Sequence, residues 1–152
     1  MIVEDNKAIA RAMQFLLQRE GYDTRWCEDE SVYSEIEEWH PNLILMDLKM
    51  PNLDGAQATA RIKDNPSTNG IPVIVVTADN VTQERFAQIR ANELINKPFQ
   101  VRRLLDSIRH WLGRGGASNG GGASNGTSPS DSTRSTGFGR SNGARGASPA
   151  FG

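Results

Sequence analysis

Polar side chains end four stretches of this sequence that have the character of strands: the pair Glu4 and Asp5, then Asp47, Thr77 and Lys97. Such short apolar runs, closed by polar or turn residues, are typical of strands in a parallel sheet covered by helices. The carboxyl ends of parallel strands open onto one crevice, so we expect these side chains to converge there. Three carboxylates, one hydroxyl and one ammonium would then share a small volume.

Carboxylates packed this closely repel one another, so the arrangement favours a bound cation among them. Hard oxygen ligands suit Mg²⁺. Thr77 and Lys97 would add a hydrogen-bond donor and a positive charge for an anion. This set of groups predicts phosphoryl transfer, in which positioning and charge neutralisation supply most of the catalysis. Asp47 is the candidate nucleophile, since an aspartate can form an acyl phosphate.

The stretch around Asp47 organises the chain. Four large apolar residues, Leu43–Met46, precede it, and Pro51 with the Asn52–Gly55 cluster turns the chain towards the next helix. A carboxylate at the end of a buried strand must be solvated, paired or bound to a metal, because burying it alone is costly.

The elements that position these residues alternate regularly. Strands are predicted at residues 1–3, 22–27, 43–46, 71–76 and 93–96, and helices at about 7–20, 31–39, 56–63, 81–90 and 101–112. Asn6 and Asp54 are the expected N-caps of the first and third helices, and Asp29 or Ser31 that of the second. This alternation predicts an α/β fold: a doubly wound, five-stranded parallel sheet with helices on both faces.

Composition divides the chain near residue 112. Residues 113–152 are dominated by Gly, Ser, Ala and Asn, and such a segment buries too little apolar surface to offset its ordering entropy. We therefore expect a globular domain at 1–112 and a disordered tail at 113–152. The tail carries four arginines against one aspartate, so with a net charge of −1 for the whole chain the domain carries −4.

The domain's negative charge gives no basic footprint for nucleic acid. The single Cys27 excludes an internal disulfide and suits a reducing compartment. The sequence contains no stretch long enough to span a membrane and no signal peptide. We therefore expect a cytoplasmic protein with neither nucleic acid nor a membrane among its partners.

The chain strongly resembles the receiver domain of two-component response regulators. The residues that carry the resemblance are Val3–Asn6, Met46-Asp47 with Met50-Pro51 and Asp54-Gly55, Val76–Ala78, and Lys97–Phe99. They stand in the family's order, and the resemblance covers residues 1–112. It implies the flavodoxin-like strand order 2-1-3-4-5.

The resemblance also implies a metal site. Glu4 and Asp5 would help to hold Mg²⁺, Asp5 more directly, together with Asp47 and the backbone carbonyl of Lys49. In the family, Asp47's counterpart accepts a phosphoryl group from a phosphohistidine, and the counterparts of Thr77 and Lys97 bind the phosphoryl oxygens. The Lys97-Pro98 bond is expected to be cis.

The implied partners are a sensor histidine kinase or phosphotransfer protein and a downstream target protein. The added charge on Asp47 would draw Thr77 inward and reshape the face formed by the fourth helix and the fifth strand. The protein would catalyse only its own phosphorylation and dephosphorylation. No output domain follows residue 112, so a stand-alone receiver of the chemotaxis or relay type is expected.

Four positions bear on the output and on the phosphoryl lifetime. Leu94 stands where the family usually has an aromatic residue, and Arg90 where it usually has a glycine. Lys49 and Asp79, two residues after Asp47 and Thr77, occupy positions that tune dephosphorylation in the family.

Other functions stay open at this point. The chain could be a phosphorylation-independent scaffold, or a receiver fragment of a larger hybrid kinase or regulator. Aspartate-nucleophile phosphatases have a similar site but place a second Asp two residues after the nucleophile, where Lys49 stands here. A flavin-binding function has only the fold in its favour.

Overall fold

The computed structural model describes residues 1–115 of the chain, with side chains up to residue 113. The predicted disordered tail lies outside the described residues except at its first positions. Within the described part, no helix combines the length and apolar character that crossing a bilayer requires.

A five-stranded parallel sheet forms the centre of the domain. Its strands are β1 (Ile2–Val3), β2 (Trp26–Cys27), β3 (Ile44–Met46), β6 (Val73–Thr77) and β7 (Glu93–Asn96). The order across the sheet is β2-β1-β3-β6-β7, with every neighbouring pair parallel. The remaining strands, β4 (Lys49–Met50) and β5 (Leu53–Asp54), pair with each other as a separate antiparallel hairpin. Without the hairpin, the order is the predicted 2-1-3-4-5, so the predicted fold is confirmed.

Four helices connect the strands of the sheet, and a fifth follows the last strand: α1 (Lys7–Arg19), α2 (Val32–Trp39), α3 (Gly55–Asp64), α4 (Gln83–Ile89) and α5 (Val101–Gly115). Asn6 and Asp54 cap α1 and α3 as predicted, since each side chain accepts hydrogen bonds from two backbone amides in the first turn. Ser31 is the N-cap of α2 but makes no side-chain capping bond, and Asp29 Oδ1 instead accepts a hydrogen bond from the Ser31 amide.

Successive strand residues point to opposite faces of the sheet, and each face is covered by its own helices. One face packs against α2 and α3 through Val3, Ile44, Met46 and Val73. The other packs against α1 and α5 through Ile2, Leu45, Ile74, Val76 and Ile95. This two-sided burial explains why the central strands are apolar throughout.

Most predicted boundaries agree with the observed ones to within two residues, and two differ by three residues or more. The second strand is only Trp26–Cys27, shorter than the predicted 22–27, because the pairing with β1 begins at Trp26. The last helix continues past Leu112 to Gly115. Arg90, at the position where a glycine is usual, has a φ of 63° and thus adopts the left-handed conformation that glycine adopts at least cost.

Candidate functional site

Lys97 lies at the centre of the charged cluster at the carboxyl end of the sheet. Its ammonium donates to Glu4 Oε2 at 2.6 Å and to Asp47 Oδ2 at 2.7 Å. These contacts join the ends of β1, β3 and β7, three strands that are far apart in sequence. The peptide bond between Lys97 and Pro98 is cis, as expected from the resemblance.

The pKa values of Glu4 and Lys97 are both raised, for different reasons. Burial raises the pKa of Glu4, and the hydrogen bond and positive charge of Lys97 only partly oppose that rise. Burial alone would lower the pKa of Lys97, but hydrogen bonds and negative charge from Asp47 and Glu4 outweigh it and raise the pKa. Lys97 therefore stays charged at neutral pH, and its ammonium contacts both acidic side chains.

Asp47 is almost fully buried at the end of β3, where the apolar stretch predicted it. One carboxylate oxygen binds Lys97, and the other accepts a hydrogen bond from the Lys49 amide at 3.3 Å. The Asp47 amide donates to the carbonyl of Val3 at 2.9 Å. The side chain is thus held by two donors while its backbone stays part of the sheet.

Glu4, Asp5 and Asp47 each offer a carboxylate oxygen, and these atoms lie within 4.8 Å of one another. Three carboxylates and one ammonium leave two formal negative charges, which one divalent cation would neutralise. All three donors are hard oxygens, the type that Mg²⁺ prefers. Donor chemistry, spacing and charge all fit a magnesium ion at this position.

Thr77 is buried at the end of β6, next to β7 in the sheet. Its hydroxyl oxygen accepts a hydrogen bond from the amide of Asp79 at 3.2 Å. The Lys97 amide donates to the Thr77 carbonyl at 2.8 Å, which fixes the ends of β6 and β7 side by side. Thr77 therefore lies at the same edge of the sheet as Asp47 and Lys97.

A second charged cluster lies beside the first. The Lys49 ammonium is 2.7 Å from Asp79 Oδ1, and the Arg85 guanidinium is 3.9 Å from Asp79 Oδ2. Asp79 thus links strand β4 to helix α4. The sequence indicated that Lys49 and Asp79 occupy positions that tune dephosphorylation in the family, but not that they bind each other.

Sequence reasoning missed the packing role of Gly55. A Cβ atom at this position would overlap the backbone oxygen of Asp47 and lie 2.8 Å from the Leu48 Cα. The Gly55 amide also donates to the Leu48 carbonyl at 3.1 Å. Gly55 therefore lets helix α3 begin directly against the backbone of Asp47. The sequence placed Gly55 in a turn but did not show that a side chain at this position would clash.

Leu94, on β7, is partly buried against Leu48, Val75 and Ile89. Ile89 belongs to α4, so Leu94 packs in the apolar contact between that helix and the sheet. At the position where the family usually has an aromatic ring, this chain has a packed aliphatic side chain.

A parallel sheet of this order, with an acidic cluster and a lysine at its carboxyl edge, defines the receiver domain of response regulators. The family model for the response regulator receiver domain matches residues 1–109. The chain belongs to this family, whose members are phosphoacceptors of two-component signalling, and the scaffold alternative is not favoured.

Individual relatives and solved structures agree with this family assignment. The polar-differentiation response regulator DivK of Brucella ovis is 36% identical over 116 residues, which cover 74% of this chain and 94% of that protein. The crystal structure of a CheY-like response regulator receiver domain protein from Methanospirillum hungatei superposes with a TM-score of 0.71 at 26% identity, covering 78% of this chain and 95% of that one. The signal receiver domain of a histidine kinase from Syntrophus aciditrophicus shares the fold, with a TM-score of 0.69 at 24% identity, covering 83% of this chain and 96% of that one.

Proposed function

We propose that Asp47 is the phosphoacceptor of this receiver domain. The observation that carries the proposal is the pairing of the Asp47 carboxylate with Lys97 in a crevice that also holds Glu4 and Asp5. This arrangement gives Asp47 an anchored orientation and places a cation where phosphoryl oxygens would come to lie.

In the proposed reaction a carboxylate oxygen of Asp47 attacks the phosphorus of a phosphohistidine. The new P–O bond forms as the P–N bond breaks, and the imidazole nitrogen keeps the electron pair and later takes up a proton. Lys97 orients Asp47 before the transfer and pairs with the phosphoryl oxygens after it. The Thr77 hydroxyl then donates to one of those oxygens.

Glu4, Asp5, Asp47 and the Lys49 carbonyl would hold Mg²⁺. The ion supplies charge neutralisation for the phosphoryl oxygens. Asp5 is the least buried of the three acids and the one best placed to bind a hydrated ion directly. Glu4 is occupied by Lys97 and by the Asn6 amide, and so acts mainly by fixing the lysine.

The proposal extends to the domain's partners and limits. The phosphoryl donor would be a histidine kinase or a phosphotransfer protein, and the output a target protein that reads the face of α4 and β7. The receiver domain would occupy residues 1–112. Turnover of a separate substrate is not expected, because Lys49 stands where a phosphatase of this kind has its second aspartate.

The test is the intact mass of the protein after incubation with acetyl phosphate and Mg²⁺. The expected result is one added phosphoryl group on the wild type, dependent on Mg²⁺ and absent from Asp47→Asn. Asp54→Asn is the matched control, because Asp54 is an exposed helix cap close to Asp47 in the chain. Addition to Asp47→Asn, or none to a folded wild type with either acetyl phosphate or a phosphorylated histidine donor, would overturn the proposal.

A further inference from the structure

Trp26 makes a contact at the acidic cluster that its place on a short edge strand does not require. Its indole Nε1 donates to the backbone carbonyl of Glu4 at 2.7 Å. That carbonyl belongs to the peptide bond that joins Glu4 to Asp5. The side chain thus reaches from β2 across the end of β1 to the turn that carries two of the three acids.

The ladder between β1 and β2 explains why an indole is needed there. Ile2 pairs with Trp26 and Val3 with Cys27, and the Glu4 amide donates to the Cys27 carbonyl at 3.1 Å. Beyond Cys27 the second strand ends, so its backbone does not continue alongside the Glu4–Asp5 turn. The indole N–H supplies a donor at the point where the ladder stops.

Trp26 binds the backbone carbonyl of Glu4, whereas other residues bind the carboxylate and the amide of Glu4. The Glu4 carboxylate is held by Lys97 and by the Asn6 amide at 3.3 Å, and the Glu4 amide by Cys27. Only the carbonyl remains, and its orientation sets the plane of the peptide bond from which the Asp5 side chain projects. Trp26 holds that plane.

We propose that Trp26 is a positioning residue for the metal-binding turn, and that it sets the affinity of the site for Mg²⁺ through Asp5. The inference rests on the proposed function, because it assumes that the three acids bind the ion. Groups that orient metal ligands without touching the metal typically change affinity by about tenfold or more. A turn with a free carbonyl would allow the repelling acids to move apart before the ion binds.

The experiment compares Trp26→Phe with Trp111→Phe. Phenylalanine keeps an aromatic ring but removes the indole N–H. Trp111, on helix α5, is the matched control. Its Nε1 donates to Glu93 Oε2 at 2.8 Å, and Glu93 is not one of the three proposed metal-binding acids. Mg²⁺ is titrated by isothermal calorimetry, and phosphorylation by acetyl phosphate is followed at rising Mg²⁺ concentration.

The expected result for Trp26→Phe is a Kd for Mg²⁺ raised about tenfold, with the phosphorylation rate at saturating Mg²⁺ within about twofold of the wild type. Trp111→Phe should lower stability without changing the Kd. An unchanged Kd in folded Trp26→Phe would overturn this inference and leave the phosphoacceptor proposal standing. A wild type that binds no Mg²⁺ would overturn both.

Discussion

The ammonium of Lys49 lies 2.7 Å from Oδ1 of Asp79, so the side chains two residues after Asp47 and two residues after Thr77 bind each other beside the proposed phosphoacceptor. The Lys49 side chain is 74% exposed and that of Asp79 only 14%. An ion pair with one well-solvated partner is weakly held. A phosphoryl group on Asp47 would therefore compete with Asp79 for this lysine.

Asp79→Asn should lengthen the lifetime of phosphorylated Asp47. The change removes a carboxylate that repels the phosphoryl group and frees Lys49 to pair with it. Exposed ion pairs are worth about 0.2–1 kcal/mol, so an increase of up to about fivefold in half-life is expected. The measurement is the loss of the acyl phosphate over time by intact mass, with Glu84→Gln on the exposed first turn of α4 as the control. A shorter half-life would contradict this interpretation.

Gly55→Ala should destabilise the domain and slow phosphorylation together. The new methyl group would overlap the backbone oxygen of Asp47, and such overpacking costs about 1–3 kcal/mol. Gly70→Ala is the matched control, since nothing lies within 4 Å of a Cβ atom at that position. Urea unfolding should separate the two variants clearly. Equal stability would mean that the helix start moves away from Asp47 without cost.

Lys97→Met should make the stability of the domain more dependent on pH. In the wild type, burial raises the pKa of Glu4. The contribution of Glu4 to folding stability is therefore fully present below the pKa that it has in the unfolded chain, and it is lost as pH rises through the pKa that it has in the folded domain. Without the Lys97 ammonium, which lowers that pKa, the folded pKa of Glu4 rises further. We expect a loss of about 3–5 kcal/mol at pH 7 that narrows as pH falls towards 5. Urea unfolding at several pH values measures it.

The double variant Glu4→Gln with Lys97→Met tests the cause. Glutamine cannot ionise, so the unpaired buried charge at position 4 disappears. The double variant should be more stable at pH 7 than Lys97→Met and should lose most of the narrowing. A gap between Lys97→Met and the wild type that stays constant with pH would show that Glu4 is not the group responsible.

Cys27 should be unreactive in the folded domain. Burial raises the pKa of its thiol to about 12, and the thiolate is the reactive form. Labelling with iodoacetamide at pH 8 should therefore be slow in native protein and complete in urea. Fast labelling of native protein would mean that β2 opens readily, because the thiol lies on that strand.

The sequence was sufficient for the sheet because each central strand is buried on both faces. The apolar stretches before Asp47 and Thr77 could belong to few other structures, and Asn6 and Asp54 capped their helices as expected. The hairpin of β4 and β5 escaped prediction, since two paired residues on each side of a turn leave almost no periodic pattern. The start of β2 also escaped prediction, because the alternation of residues 22–27 does not reveal where ladder pairing begins.

The acidic cluster was predictable in part. The convergence of Glu4, Asp5, Asp47, Thr77 and Lys97 on one edge follows from strand ends alone. The contacts of Trp26, Gly55 and the Lys49–Asp79 pair do not, because each depends on side-chain direction or on the spacing between two backbones. Such relationships join residues that carry no shared motif.

Lys97 binds Glu4, 93 residues earlier in the chain, and Asp47, 50 residues earlier. Both contacts require the last strand of the sheet to be in place beside the others. During synthesis, Asp47 therefore lacks its partner Lys97 until almost the whole domain has left the ribosome and β7 has paired with β6. The proposed phosphoacceptor site is therefore completed last, and an unfinished or partly unfolded chain does not present it in assembled form.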